Sequence, residues 1–394
     1  MSYIKRLILL NQMAGPLYRE LAEGLSDAYD EGCLLFTGHP DTLSLRNKVH
    51  QKLYIKSAPV YNRSSNISRI ISWIKYTISS TYLILKSKKT DAFMIVSNPP
   101  ILGGWFWVLN KIKNRKYSVL VYDIYPDVLV VMNKIGKKNI IAKLWRWINF
   151  KVYRDACVVI TIGHHMAKRL HRQFPKDAKF PEVISPWSDT DKIKPISYQN
   201  NDLSQEFNPG NKKVVMYSGN MGASHDIESM LEAAKILKNN QEILFIFIGS
   251  GEKWQLANDF SKENNLSNVN VYPFQVEKNL PYTMALATIS LVALDVGAEE
   301  LMVPSKVFYY LAAGSAVIGI SKNQNELKDI IENNQCGVNV EPKNPQKLAD
   351  VILSLANNKE KLNFFQQNAR MISVEHYSKK SGIEKFKQVL KCSL

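Results

Sequence analysis

Apolar runs and helical patterns alternate along this chain. RLILLN (6–11) is followed by LYRELAEGL, and CLLFTG (33–38) closes a second apolar run. AFMIVS (92–97) leads into a tryptophan-rich helical segment, YSVLVYD (117–123) follows it, and DACVVITIG (155–163) leads into HHMAKRLHRQF. The alternation resumes with KVVMYSG (213–219), ILFIFIGSG (243–251), NVNVYPF (268–274), ATISLVAL (287–294), SAVIGIS (315–321) and GVNVEP (337–342). Helical patterns such as IESMLEAAKILKNN, VPSKVFYYLAA and LADVILSLAN separate these runs. Strands that are apolar at every position, rather than every second one, belong in a parallel sheet covered on both faces. The expected fold class is therefore α/β, with doubly wound parallel sheets.

The rhythm breaks at SPWSDTDKIKPISYQNNDLSQEFNPGN (185–211), a polar stretch carrying Pro186, Pro195, Pro209 and Gly210. This composition predicts a linker over 191–211 between a first domain, 1–190, and a second, 212–375. A chain of 394 residues has room for two such domains. Ligands of these sheets sit beyond the carboxyl ends of the strands, so a cleft lined by strand ends is expected to hold the site.

Composition changes the picture in three places. Cys33, Cys157, Cys336 and Cys392 have no C-x-x-C spacing, which argues against a zinc site or disulfide framework and for a reducing, cytoplasmic setting. FMIVSNPPILGGWFWVL, the most apolar region, is interrupted at 97–100, and neither half reaches the ~20 residues of a bilayer span. The amino-terminal MSYIKRLILLNQ is too short in its apolar part for a signal peptide. Charge is one-sided: residues 1–200 hold 31 Lys/Arg against 14 Asp/Glu, and the remainder 20 against 21. Between Asp41 and Asp91 no acidic residue occurs, while Arg46, Lys48, Lys52, Lys56, Arg63, Arg69, Lys75, Lys86, Lys88 and Lys89 do. Such an excess implies an anionic partner. No helix-turn-helix, RRM or zinc pattern accompanies it, so nucleic acid is not the expected one.

Candidate chemistry lies at the strand ends. YSGNMGASHD (217–226) places Gly219 and Gly222 between a strand and a helix, where bare backbone N–H groups approach an oxyanion. A tight strand–helix turn is the plain alternative. IGSGE (248–252) offers a second such turn at Gly249 and Gly251. EELMVPSKVFYYLAAG (299–314) puts Pro304 in the first turn of a helix with Ser305 and Lys306 beside it. A lysine there opposes the helix dipole unless an anion offsets it, or unless it is simply solvated.

Taken together, YSGNMG…IESMLEAA, FIFIGSGE, PSKVFYYLAAGSAVIG and VYDIYPDVL resemble glycosyltransferase family 4, in the right order over nearly the whole chain. The relatives it looks like are bacterial enzymes of capsule, O-antigen and exopolysaccharide assembly. The resemblance implies a GT-B fold, two Rossmann-like domains facing a central cleft. It implies transfer with retention, without metal or other cofactor, from a nucleotide-sugar, a UDP-sugar being expected, to a polyprenyl-diphosphate-linked sugar. A carboxy-terminal helix, 376–394, would return to the first domain.

By the same resemblance, Gly219, Asn220 and Gly222 face the donor diphosphate, with Pro304, Ser305 and Lys306 opposite. Glu299 or Glu300 contacts the sugar, and Gly249, Gly251 and Phe274 complete the donor side. Two positions depart from the family pattern. Tyr309 stands where a ribose-binding glutamate is expected, and the loop after Gly222 reads Ala223-Ser224-His225-Asp226, where His225 is either a protonated substitute for a basic phosphate ligand or an exposed turn histidine. On the first domain Asp123 is the expected carboxylate at the cleft, a cap or turn role being the alternative. Asp127, Gln12, Gly15 and Asn98 are expected on the acceptor side. His164-His165 points its two rings apart on a helix, and the D-x-D of SDTDK (188–192) lacks a preceding strand, so neither is read as a metal site.

NISRIISWIKYTISSTYLILKSKK (66–89) lines Ile67, Ile70, Ile71, Ile74, Ile78, Tyr82 and Leu85 along one helical stripe. Core packing with a basic outer edge is one expectation. A face lying on the anionic inner surface of the cell membrane is the other, and IIAKLWRWINFKVYRD (140–155) adds Trp145 and Trp147 to it. A nucleotide-sugar epimerase and a non-catalytic assembly partner remain as alternatives to the transferase.

Overall fold

The computed structural model describes residues 3–62, 64–136, 138–174, 179–222, 225–294, 297–322 and 324–394. Arg63 of the basic stretch, and Ala223 and Ser224 of the glycine loop, lie outside the described residues. The chain divides into two compact units. One is Met1–Ser185 with Lys380–Leu394, and the other is Pro186–Lys379.

The first unit is built on seven strands: β1 (Arg6–Leu10), β2 (Cys33–Thr37), β3 (Leu53–Ser57), β4 (Asp91–Val96), β5 (Tyr117–Val121), β6 (Val158–Thr161) and β7 (Glu182–Val183). Their order across the sheet is β3-β2-β1-β4-β5-β6-β7, all parallel. The central strands β4 and β5 are buried at every position, as their unbroken apolar runs require. β3 carries the exposed Tyr54 and Lys56 and lies at the sheet edge, which is why no apolar run announces it. The order reverses between β1 and β4, so the ends of those strands, at Asn11–Gln12 and Ser97–Asn98, flank the switch point.

The second unit has β8 (Lys213–Asn220), β9 (Ile243–Ser250), β10 (Val269–Pro273), β11 (Ile289–Ala293), β12 (Ala316–Ile320) and β13 (Gly337–Val340). These six parallel strands run in the order β10-β9-β8-β11-β12-β13. Here the switch point falls between β8 and β11. Tyr217, Phe245, Phe247, Leu291 and Ile318 form the heart of a core that the helices Ile227–Ile236 and Pro345–Asn357 cover.

Two expectations are corrected. The stretch read as a linker is folded onto the second unit: Trp187, Ile193 and Phe207 are buried, and Ser188 bridges Ser378. The Arg370 guanidinium donates to the carbonyls of Thr190, Ile193 and Ala312, stapling this polar strap down. Its polarity is satisfied by hydrogen bonds, which composition does not reveal. The second correction concerns the helix Asn66–Lys86. Its buried positions are Ser72, Tyr76, Thr77, Ser80 and Ile84. The isoleucine stripe faces outward, from Leu85 at 42% exposure to Ile67 at 72%. Two hydroxyls on the inner face bond within their own helix turn, Ser72 Oγ donating to Arg69 O and Ser80 Oγ to Thr77 O, while Tyr76 OH donates to Phe36 O of the sheet. Small self-bonded residues thus let the helix lie tightly on the sheet while its apolar stripe stays outside.

Candidate active site

β8 ends in the segment that carries the most chemistry. Gly219 adopts φ +136°, and a Cβ there would lie 3.1 Å from Lys306 Nζ, so the ammonium occupies the volume a side chain would need. Gly249, paired with Gly219 across β8 and β9, has φ +155°, and its Cβ would sit 1.9 Å from the Gly219 carbonyl oxygen. No larger residue fits there. The two glycine turns are joined by Met221 N–H donating to Ser250 O, and by Lys253 N–H donating to Met221 O.

Lys306 begins the helix Lys306–Ala312, which follows the loop after β11. Pro304 precedes the helix instead of occupying its first turn, and Ser305 is its exposed N-cap, making no side-chain capping bond. The Lys306 ammonium is buried, 3.8 Å above the ring centroid of Tyr217. Tyr217 OH donates to Asn220 O at 2.8 Å and lies 2.9 Å from His225 Nδ1. That same imidazole nitrogen is 2.9 Å from Asn220 O, so His225 is bound into the turn rather than standing free of it. Tyr310 OH accepts from Ser218 N–H at 2.6 Å and braces the strand one residue before Gly219. Lys253 Nζ donates to His225 O and pairs with Glu228, both at 2.7 Å.

Glu299 and Glu300 lie on the loop between β11 and Lys306. Glu299 is buried, and its Oε1 has no hydrogen-bond partner among the described residues. A buried carboxylate oxygen left this way is costly unless a ligand donates to it. Glu300 and Tyr309 are half-buried, and Phe274, just past β10, is 55% exposed. The fold therefore brings Gly219, Asn220, Gly222, His225, Gly249, Gly251 and Lys306 together around the end of β8. Sequence reasoning passed over Tyr217, Tyr310 and Lys253. The signal for Tyr217 was a lone aromatic ring directly after the apolar Val214, Val215 and Met216.

In the first unit, Asp123 follows β5, and its N–H and that of Tyr122 both donate to Ser97 Oγ. Burial raises the Asp123 carboxyl to about 6. Asp127 is engaged elsewhere. It is buried and accepts from Arg146 at 2.8 Å, Arg169 at 3.1 Å and Gln173 at 2.9 Å, which is the occupation of a structural carboxylate. Gln12 is likewise buried and donates to Pro59 O and Ser72 O, pinning the helix Asn66–Lys86 to the end of β1. Gly15 caps the helix Pro16–Ser26, and Asn98 precedes Pro99 at the end of β4; both are half-buried. Asp189 of the D-x-D accepts from the N–H groups of Asp191 and Lys192, a turn cap.

Residues 199–371, which contain every donor-side residue above, match the family model described as "Glycosyl transferases group 1". The chain is a glycosyltransferase with a group 1 domain. WbjE of Pseudomonas aeruginosa, a probable glycosyltransferase, is 26% identical to it over 83% of this chain and 81% of its own. WcaI of Escherichia coli, a putative colanic acid biosynthesis glycosyl transferase, is 23% identical over 71% of this chain and 69% of its own. Among solved structures, Anabaena HepE in complex with UDP and glucose superposes with a TM-score of 0.73 at 12% identity, covering 98% of this chain and 100% of that one. The glycosyltransferase thus has the GT-B fold, two parallel α/β sheets, each in its own unit.

Proposed function

We propose that this glycosyltransferase moves a sugar from a UDP-sugar to a lipid-linked saccharide in bacterial surface polysaccharide assembly, with retention of configuration. The observation that carries the reading is the buried Lys306 ammonium against the bare backbone of Gly219 at the switch point of the second sheet. A departing nucleoside diphosphate develops negative charge, and a preorganised ammonium beside main-chain N–H groups stabilises it in the transition state. The acceptor hydroxyl oxygen forms its bond to the anomeric carbon as the bond from that carbon to the diphosphate oxygen breaks. Its proton passes to the departing phosphate. Glu299 Oε1 accepts from a sugar hydroxyl, and Asp123 serves the acceptor side. The Lys306 charge supplies what a divalent ion supplies elsewhere, so turnover is expected to persist in EDTA. The names of WbjE and WcaI support the polysaccharide setting, and the UDP bound to HepE supports the donor.

The acceptor reading carries a location with it. Among the described residues no helix is long and apolar enough to cross a membrane. The outward stripe of the helix Asn66–Lys86 continues onto its neighbours. Trp105 of Leu102–Lys113 donates to Thr81, and Gly103 and Gly104 of that helix admit Val152 and Ile148 of Ile140–Arg154. Ile112, Ile141, Leu144 and Trp147 add exposed apolar surface to it. An apolar face fringed with Lys75, Lys86, Lys111 and Lys151 suits an anionic bilayer surface.

The deciding experiment is thermal stabilisation by UDP, GDP and ADP, with Lys306→Ala alongside. A ligand at 100 times its dissociation constant adds about 2.7 kcal/mol. Stabilisation by UDP, lost in the variant, together with a fall in turnover of about 10²-fold, is expected. Product formed from donor alone would instead identify an epimerase. Binding of donor and acceptor without turnover would identify a non-catalytic partner, an idea that Tyr309 in place of the expected glutamate keeps open.

A further inference from the structure

We infer that Tyr217 is a positioning residue of the transfer site, holding Lys306 with its ring face and the turn at 219–222 with its hydroxyl at once. The inference rests on the donor reading above, and it adds a residue that no motif assigns. Tyr217 is fully buried in β8, so its ring is fixed by the core rather than by solvent-exposed rotamers. The Lys306 ammonium lies 3.8 Å above that ring, and the bare Cα of Gly219 borders it on the side. A desolvated cation over an aromatic face is held by the ring quadrupole. A long flexible lysine is thereby given one orientation before any ligand arrives.

The hydroxyl end does separate work. It donates to Asn220 O and meets His225 Nδ1, closing the turn that follows Gly219. Tyr310 braces the neighbouring residue through Ser218 N–H. The two halves of the cradle, a charge from the loop after β11 and a turn from β8, are therefore set relative to each other by one side chain. Preorganisation of this kind is what a charge-stabilising site requires, because donors that must reorient during reaction contribute less.

A graded series separates this role from packing. Tyr217→Phe removes the hydroxyl and keeps the ring. One, two and three fluorines on that phenylalanine then weaken the quadrupole with almost no change of shape. UDP, GDP and ADP affinities, and nucleotide release from the corresponding donors, are measured for each, in natural and Lys306→Ala backgrounds. The expected result is a loss from Tyr217→Phe that persists in both backgrounds, and a further stepwise loss with each fluorine, about tenfold in total, that is absent when Lys306 is alanine. A flat fluorine series, or equal fluorine-dependent losses in both backgrounds, overturns the inference even if Lys306→Ala is itself defective. If Lys306→Ala binds and turns over like the natural chain, or if the natural chain binds none of the three nucleotides, the donor reading falls and this inference with it. A purely structural Tyr217 would lower the melting temperature and leave the fluorine series level.

Discussion

Lys306 and Asp123 are each defined by their surroundings rather than by their type. A lysine in VPSKVF reads equally well as a solvated surface residue, but the ammonium is buried against Tyr217 and Gly219. Asp123 differs from Asp127, four residues on, in the same way. Asp127 is held by two arginines and a glutamine, whereas burial raises the Asp123 carboxyl to about 6. The unfolded chain releases the Asp123 proton near pH 4, so between about pH 4 and 6 the folded state binds the extra proton and stability falls as pH rises. Asp123→Asn is expected to flatten that slope in urea titrations run across the window. If Asp123 works as a carboxylate, turnover of the natural chain also drops below about pH 6. A natural profile level down to pH 5 would remove it from the reaction. Nothing in VYDIYPDV distinguishes the two aspartates, because the partners of Asp127 come from residues 19 to 46 positions away.

The helix Asn66–Lys86 shows how a periodic pattern can be right about an element and silent about its orientation. The isoleucine stripe marks the helix correctly, yet Ser72 and Ser80, whose hydroxyls bond within the helix, face the sheet. Hydroxyls that bond to their own helix turn are nearly apolar toward a neighbour, so hydrophobicity alone misjudges which side is buried. Two aspartates in place of Ile74 and Ile78 are expected to abolish co-sedimentation with vesicles containing phosphatidylglycerol. Both side chains are exposed, so melting temperature and UDP affinity should be unchanged. Unaltered co-sedimentation would exclude this face from membrane contact, and equal binding to neutral vesicles would exclude the electrostatic part. The central strands β4, β5, β9, β11 and β12 were legible from their apolar runs. β3 and β7 were not, since an edge strand and a two-residue strand carry no such run.

The division of the chain is not the division of the sequence. The helix Lys379–Ser393 belongs with the first unit: Phe386 and Leu390 are buried, Ile383 covers the bare Cα of Gly24, and Lys116 donates to the Leu394 carbonyl. Removing residues 380–394 is expected to lower the melting of the first unit by several degrees and to leave UDP stabilisation of the second intact. A single unchanged transition would mean that this helix contributes nothing to the fold. Periodicity sufficed for an α/β chain with two parallel sheets, because burial on both faces forces apolar residues at every position of a strand. The glycine turns and Lys306 were legible as candidates for the same kind of reason: close backbone approach and a charge set against a dipole leave a local mark. The Tyr217 ring beneath Lys306, the strap of 186–211 held by Arg370, and the outward isoleucines needed the folded chain. Each depends on which distant group satisfies a charge, a carbonyl or a hydroxyl, and a linear pattern does not carry that information.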